Sequence, residues 1–117
     1  MDSILNTIKK MILGTSFDED TSFDTDIIVS INSAFADLND IGVGPSEGFS
    51  ILDDIPVWSE FTQDNTIIES VKSYVYFKTK LDFDPPSNSS VLASMQNRVK
   101  ELEWRLNVRA ENMEKQQ

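Results

Sequence analysis

Apolar residues along this chain recur mostly at helical spacing. Ile4, Leu5, Ile8, Met11 and Ile12 fall at i, i+1, i+4, i+7 and i+8, which lines one face of a first helix. Ser3 is placed to cap it, and Gly14 to end it. Lys9 and Lys10 sit near its C-terminal end, where the helix dipole favours cations. An acidic linker, Asp18 to Ser22, follows. Asp24 reads as the cap of a second helix carrying Ile27, Ile28, Ile31, Ala34, Phe35 and Leu38. Gly42, Gly44 and Pro45 stop that pattern.

Between Ser46 and Gln63 the periodicity fails, although Phe49, Ile51, Ile55, Val57, Trp58 and Phe61 are too apolar for a solvated loop. The expectation is a folded-over loop with a strand-like piece at Phe49–Ile51 and one helical turn at Trp58–Phe61. So long a connection in a small domain is uncommon unless it has a task. Thr66 and Glu69 have the spacing of a capping box, which predicts a third helix carrying Ile67, Val71, Tyr74, Val75, Phe77 and Leu81. Its β-branched and aromatic residues make it a weak helix that packing must hold. Asp84-Pro85-Pro86-Ser87 breaks it. A last helix is predicted from about Asn88 to Ala110, with Leu92, Met95, Val99, Leu102 and Leu106 as a seam of alternating threes and fours. The reading is all-α: a small bundle of about four helices, with a long structured loop between helices 2 and 3 and a long C-terminal helix. Residues 1–110 form one domain, and 111–117 form a polar tail expected to fray.

Composition narrows the function. The 117 residues, 39 % hydrophobic, suit one domain with a modest core at roughly 100–200 residues per domain. The chain has no Cys and no His, so disulfide scaffolds, zinc fingers, thiol nucleophiles and Ser-His-Asp triads are out of reach. A formal charge of -10 argues against binding a phosphate backbone, whose affinity comes from Lys and Arg releasing counterions. No stretch approaches the ~20 apolar residues that span a bilayer. The first apolar stretch holds Lys9 and Lys10 and lacks a small-residue cleavage site after it, so it does not read as a signal peptide. Asn88-Ser89-Ser90 matches a glycosylation sequon and reads as a chance match.

Each candidate for chemistry has a plainer reading. An EF-hand loop begun at Asp18 would need Gly where Phe23 stands and Glu where Val29 stands, so the acids there read as linker and cap. Asp82 and Asp84 read as turn formers beside prolines. Gly42 to Pro45 is a turn and not a phosphate loop. No catalytic constellation, cofactor site or metal site is expected. Trp104 lies off the seam, flanked by Lys100, Arg105 and Arg109. A wide core face would bury it. The sharper reading makes it an anchor for another subunit, since Trp and Arg are enriched at interface hot spots. Lys72, Lys78 and Lys80, and then Arg98, Lys100, Arg105, Arg109 and Lys115, place the positive charge chiefly on the third and last helices. Such asymmetry permits head-to-tail assembly with opposite signs meeting.

Several segments together resemble a known family. They are Asp24-Thr25-Asp26-Ile27-Ile28, Asn32-Ser33 to Leu38-Asn39, Gly42 to Pro45, and Gly48 to Ile51 with Trp58 after it. Leu81 to Ser89 and Lys100 to Asn107 complete the set. In this order they resemble the head–tail connector (adaptor) proteins of long-tailed phages infecting Gram-positive hosts. The resemblance implies a structural virion protein at the head–tail interface, assembled in the host cytoplasm. It implies a homo-oligomeric ring of twelve copies beneath the portal protein, with a stopper or tail-completion protein beyond and DNA passing through. Carried over, it makes Asn107, Arg109, Asn112 and Met113 candidates for portal contact. Phe49, Ile51, Trp58, Trp104 and Arg105 become candidates for contact with neighbouring subunits or the next ring. A second class stays open on charge alone: a small acidic DNA mimic that inhibits or regulates a nucleic-acid-binding protein. It would display its acids on one continuous face and has little use for a basic last helix.

Overall fold

The computed structural model describes residues 3–115, with side-chain surroundings described for residues 3–112. Five α-helices follow in order: α1 (Ile4–Leu13), α2 (Asp24–Asp40), α3 (Trp58–Phe61), α4 (Ile68–Phe83) and α5 (Ser89–Lys115). A 3-10 turn, Thr15–Phe17, follows α1. No strand forms among the described residues, so the chain is an all-α small bundle. The strand-like piece expected at Phe49–Ile51 is absent. Among the described residues a single bridge joins Ser3 to Val57, where the start of α1 meets the long loop.

Most helix ends follow local chemistry. The Ser3 hydroxyl accepts from the Asn6 amide, and Gly14, at φ 86°, turns the chain out of α1. Asn88 caps α5 by accepting from the amides of Ser90 and Val91. Two expected caps do not form. Asp24 is inside α2, and Phe23 occupies the cap position. Thr66 turns back to bond Asp64 instead of capping α4, so that helix starts at Ile68. At the other end, α5 continues to Lys115, so residues 111–115 are helical where a frayed tail was expected.

α4 is the hub, packing against α2, α5 and α1. Its buried Val71, Tyr74, Val75 and Thr79 meet Ile27, Ile31, Ala34, Phe35 and Leu38 of α2 and Ile4, Leu5 and Ile8 of α1 in one core. α5 adds Val99, Leu102 and Leu106. The upper part of its seam, Leu92 and Met95, is only half-buried. Burying a Leu or Ile side chain contributes about 1.5–3 kcal/mol, so this contiguous cluster outweighs the weak helix propensity of α4. Two polar links hold the frame. Lys9 is buried and pairs with Asp24 at 2.9 Å, tying α1 to the start of α2. The hydroxyl of buried Tyr74 donates to Glu103 at 3.1 Å, tying α4 to α5. Burial, then the Glu103 charge, pushes that hydroxyl's pKa above its ordinary 10.0 and keeps it a donor.

Candidate assembly surfaces

The long loop is built inward first. Phe35 gathers Phe49, Trp58 and Phe61 around it, with ring centroids 5.0, 6.3 and 4.8 Å away. Gly44, at φ 93°, passes so close to Phe61 that a Cβ there would collide with the ring. The Asn32 side chain accepts from the Ile51 amide at 2.8 Å and donates to the Ile51 carbonyl at 2.9 Å. Trp58 donates its indole N–H to Thr7 at 3.3 Å, and Lys72 lies 5.9 Å from its ring centroid. Ile51 and Trp58 are therefore buried, and Phe49 is half-buried against Phe35 and Phe61. Within one subunit, then, these three candidates for contact with neighbouring subunits face inward. Their apolar character is used inside their own subunit.

What the loop exposes is the segment between its anchors. Leu52 is 89 % and Ile55 76 % exposed, with the exposed Asp53 and Asp54 between them. The segment is held at both ends, by Asn32 on Ile51 and by the Ile4 amide on the Pro56 carbonyl at 3.0 Å. Asp53 accepts from the Ile55 amide at 2.9 Å and fixes the turn. The residues thus form a presented knob with apolar sides and an acidic edge. Sequence reasoning named Ile55 as apolar and missed Leu52. The signal was an apolar pair bracketing two acids with no helical or alternating period.

On α5, Trp104 stands about 200° around the helix from Leu102, and 68 % of it is exposed. The reading that buried it in a wide core face is overturned, because α5 packs on the bundle along one stripe. Lys100 and Val108 lie one turn to either side of it. Lys100 makes no ion pair among the described residues. Arg105 pairs with Glu101 on the same helix at 2.5 Å, and Arg98 reaches the same carboxylate at 3.2 Å. The portal candidates scatter. Asn107 is half-buried and Asn112 exposed, while the Met113 side chain lies outside the described residues. Arg109 is already engaged: it donates to the Thr66 hydroxyl at 2.5 Å and faces Asp64 at 3.8 Å, clasping α5 to the turn before α4.

An open cleft of about 590 Å³ runs between α2, α4 and α5, lined in part by Ser30, Lys78, Asp82, Lys100 and Glu103. Several of its polar groups already have partners. Ser30 donates to Asp82 at 2.6 Å, Lys78 pairs with Asp37 at 2.8 Å, and Glu103 accepts from Tyr74. Among the described residues, no three acidic, His or Cys side chains converge on a cation site. No described helix is long and apolar enough to cross a membrane.

The core thus uses most of the apolar loop, and the projecting apolar groups are edged with charge. A family model described as phage connector protein matches residues 4–113, and the chain belongs to that family of structural, head–tail connecting virion components. No curated protein and no solved structure matches the chain.

Proposed function

We propose that this chain forms a twelve-membered ring beneath the portal of a DNA-filled phage head, joins head to tail, and leaves a central passage for DNA. The observation that carries this reading is the family match across residues 4–113 of 117, nearly the whole chain. The portal lies on one side of the ring, and a stopper or tail-completion protein on the other. Subunits are made in the host cytoplasm, in this reading of a Gram-positive host, and end in the virion.

The physics supports the reading. Twelve chains of charge -10 put about -120 formal charges around the passage, which repels phosphates and lets the genome slide without sticking. Portal contact falls to the last turns of α5, where Asn107, Arg109, Asn112 and Met113 lie. Trp104 and Arg105 serve contact between subunits.

The test is capture on portal rings of the same phage. Leu106 is buried and Ala110 packs on the core, so a cut must spare both. Full-length chain is compared with residues 1–110. Capture of the full chain and its loss on truncation is the expected result. Equal capture would remove portal docking from residues 111–117. No capture of the folded full-length chain would overturn the placement beneath the portal.

A further inference from the structure

The two most projecting apolar features of this molecule carry opposite charge. Leu52 and Ile55 are separated by Asp53 and Asp54, and Asp54 has no ion pair among the described residues. Trp104 has Lys100 one turn before it and, beside it, Arg105 in its pair with Glu101. We propose that the Leu52–Ile55 knob of one copy seats against the Trp104 face of α5 on the next. This contact rests on the ring reading above and supplies its subunit-to-subunit joint.

Three observations carry it. First, the knob is a fixed shape, because Asn32, Asp53 and the Ile4 amide pin the backbone on both sides of Leu52. Little ordering is therefore lost when it docks. Second, each surface offers a large apolar group at its centre and charge at its edge, the pattern of an interface hot spot with a polar rim. The edge signs are complementary: Asp54 on the knob, and Lys100 on the helix, which makes no ion pair among the described residues. Third, the two surfaces lie on different parts of the subunit. The knob is joined to the start of α1, whereas α5 packs chiefly on α4. A knob on one face meeting a receiving surface on another is a heterologous contact, which propagates from copy to copy and makes a ring where the rotation closes. A reciprocal pair, with each knob on the other copy's α5, would satisfy the same charges, and the double variant below distinguishes it from a ring.

The chain has no native Cys, so disulfide trapping is clean. Leu52→Cys chains are mixed with Trp104→Cys chains under mild oxidation. A control mixture pairs Leu52→Cys with Ser16→Cys, an exposed site outside both proposed surfaces. Both test positions are mostly exposed, so neither substitution opens the core. The expected result is mixed-disulfide formation about tenfold faster than in the control. Asp54→Lys on the first chain slows it, and Lys100→Glu on the second restores it.

Rates equal to the control overturn the contact. Native mass spectrometry of the wild-type chain then decides the rest. Closed rings leave the ring reading standing without this joint, and their absence removes both. A Leu52→Cys/Trp104→Cys double variant separates the remaining case. A ladder of linked chains supports contact and ring together. Fast trapping that stops at closed pairs upholds the contact and overturns the ring.

Discussion

The side chain of Asn32 pairs with both backbone groups of Ile51, accepting at 2.8 Å and donating at 2.9 Å, as a neighbouring strand would. One helical side chain thus does for the long loop what a sheet does elsewhere. Asn32→Ala leaves the Ile51 amide and carbonyl without partners. The expected cost is about 1–3 kcal/mol in urea unfolding, with faster amide exchange at Ile51. Asn32→Asp should not rescue it, since a carboxylate cannot donate to the carbonyl. Unchanged stability in both variants would show that the loop is held by its aromatic residues alone.

Gly44 combines positive φ with contact against the Phe61 ring, while Gly48 has positive φ and open space around the missing Cβ. Gly44→Ala should therefore cost about 2–4 kcal/mol, from strain and forced repacking together. Gly48→Ala should cost about 1 kcal/mol, from strain alone. Thermal unfolding of the two variants side by side measures the difference. Equal losses would mean that the Phe61 ring yields freely.

Asp20 and Asp64 both carry pKa values below the ordinary 3.8. For Asp20 the cause is the Ser22 hydroxyl and then the Ser22 amide. For Asp64 it is the Thr66 hydroxyl and then the Thr66 amide, with Arg109 adding its charge. A folded pKa below the unfolded one means that the contribution is present above 3.8 and lost as pH falls through the lowered value. Carboxyl chemical shifts should show both groups titrating below 3.8, and Ser22→Ala should return Asp20 toward it. Acid should loosen the 20–22 and 64–66 turns ahead of the core.

The two tryptophans should respond very unequally to truncation. Trp58 is buried among Phe35, Thr7 and Lys72, so Trp58→Ala should cost about 3–5 kcal/mol of monomer stability. Trp104→Ala should shift monomer stability by no more than about 0.5 kcal/mol. In wild-type protein, Trp104 should dominate acrylamide quenching until assembly covers it. Protection of Trp104 in dilute monomer would contradict its exposure.

Much of this fold was legible because its helices obey a period. Ile27, Ile31, Ala34, Phe35 and Leu38 were each placed in the core by spacing, as were Val99, Leu102 and Leu106. The helical turn at Trp58–Phe61 was visible in its apolar content. The direction of the loop residues was not. Ile51 is turned inward by a bond to Asn32, nineteen residues away, and no local pattern records it. Leu52, its neighbour, is thereby turned out. Trp104 was ambiguous for a similar reason: spacing says where it stands on α5, but not how many helices α5 touches. The Thr66 capping box failed because Asp64, two residues earlier, competed for the same hydroxyl and amide.

The central position of α4 also sets an order of events during synthesis. α1 and α2 touch each other, but the residues they jointly bury, Val71, Tyr74 and Val75, come much later in the chain. The emerging chain therefore has no complete core until α4 has left the ribosome, and its first two helices wait as partly covered amphipathic segments. α5 arrives last, after the Pro85-Pro86 break, and adds to a nucleus that already exists. Its Val99, Leu102 and Leu106 then complete the core, and Tyr74–Glu103 and the Arg109 clasp fix it in place.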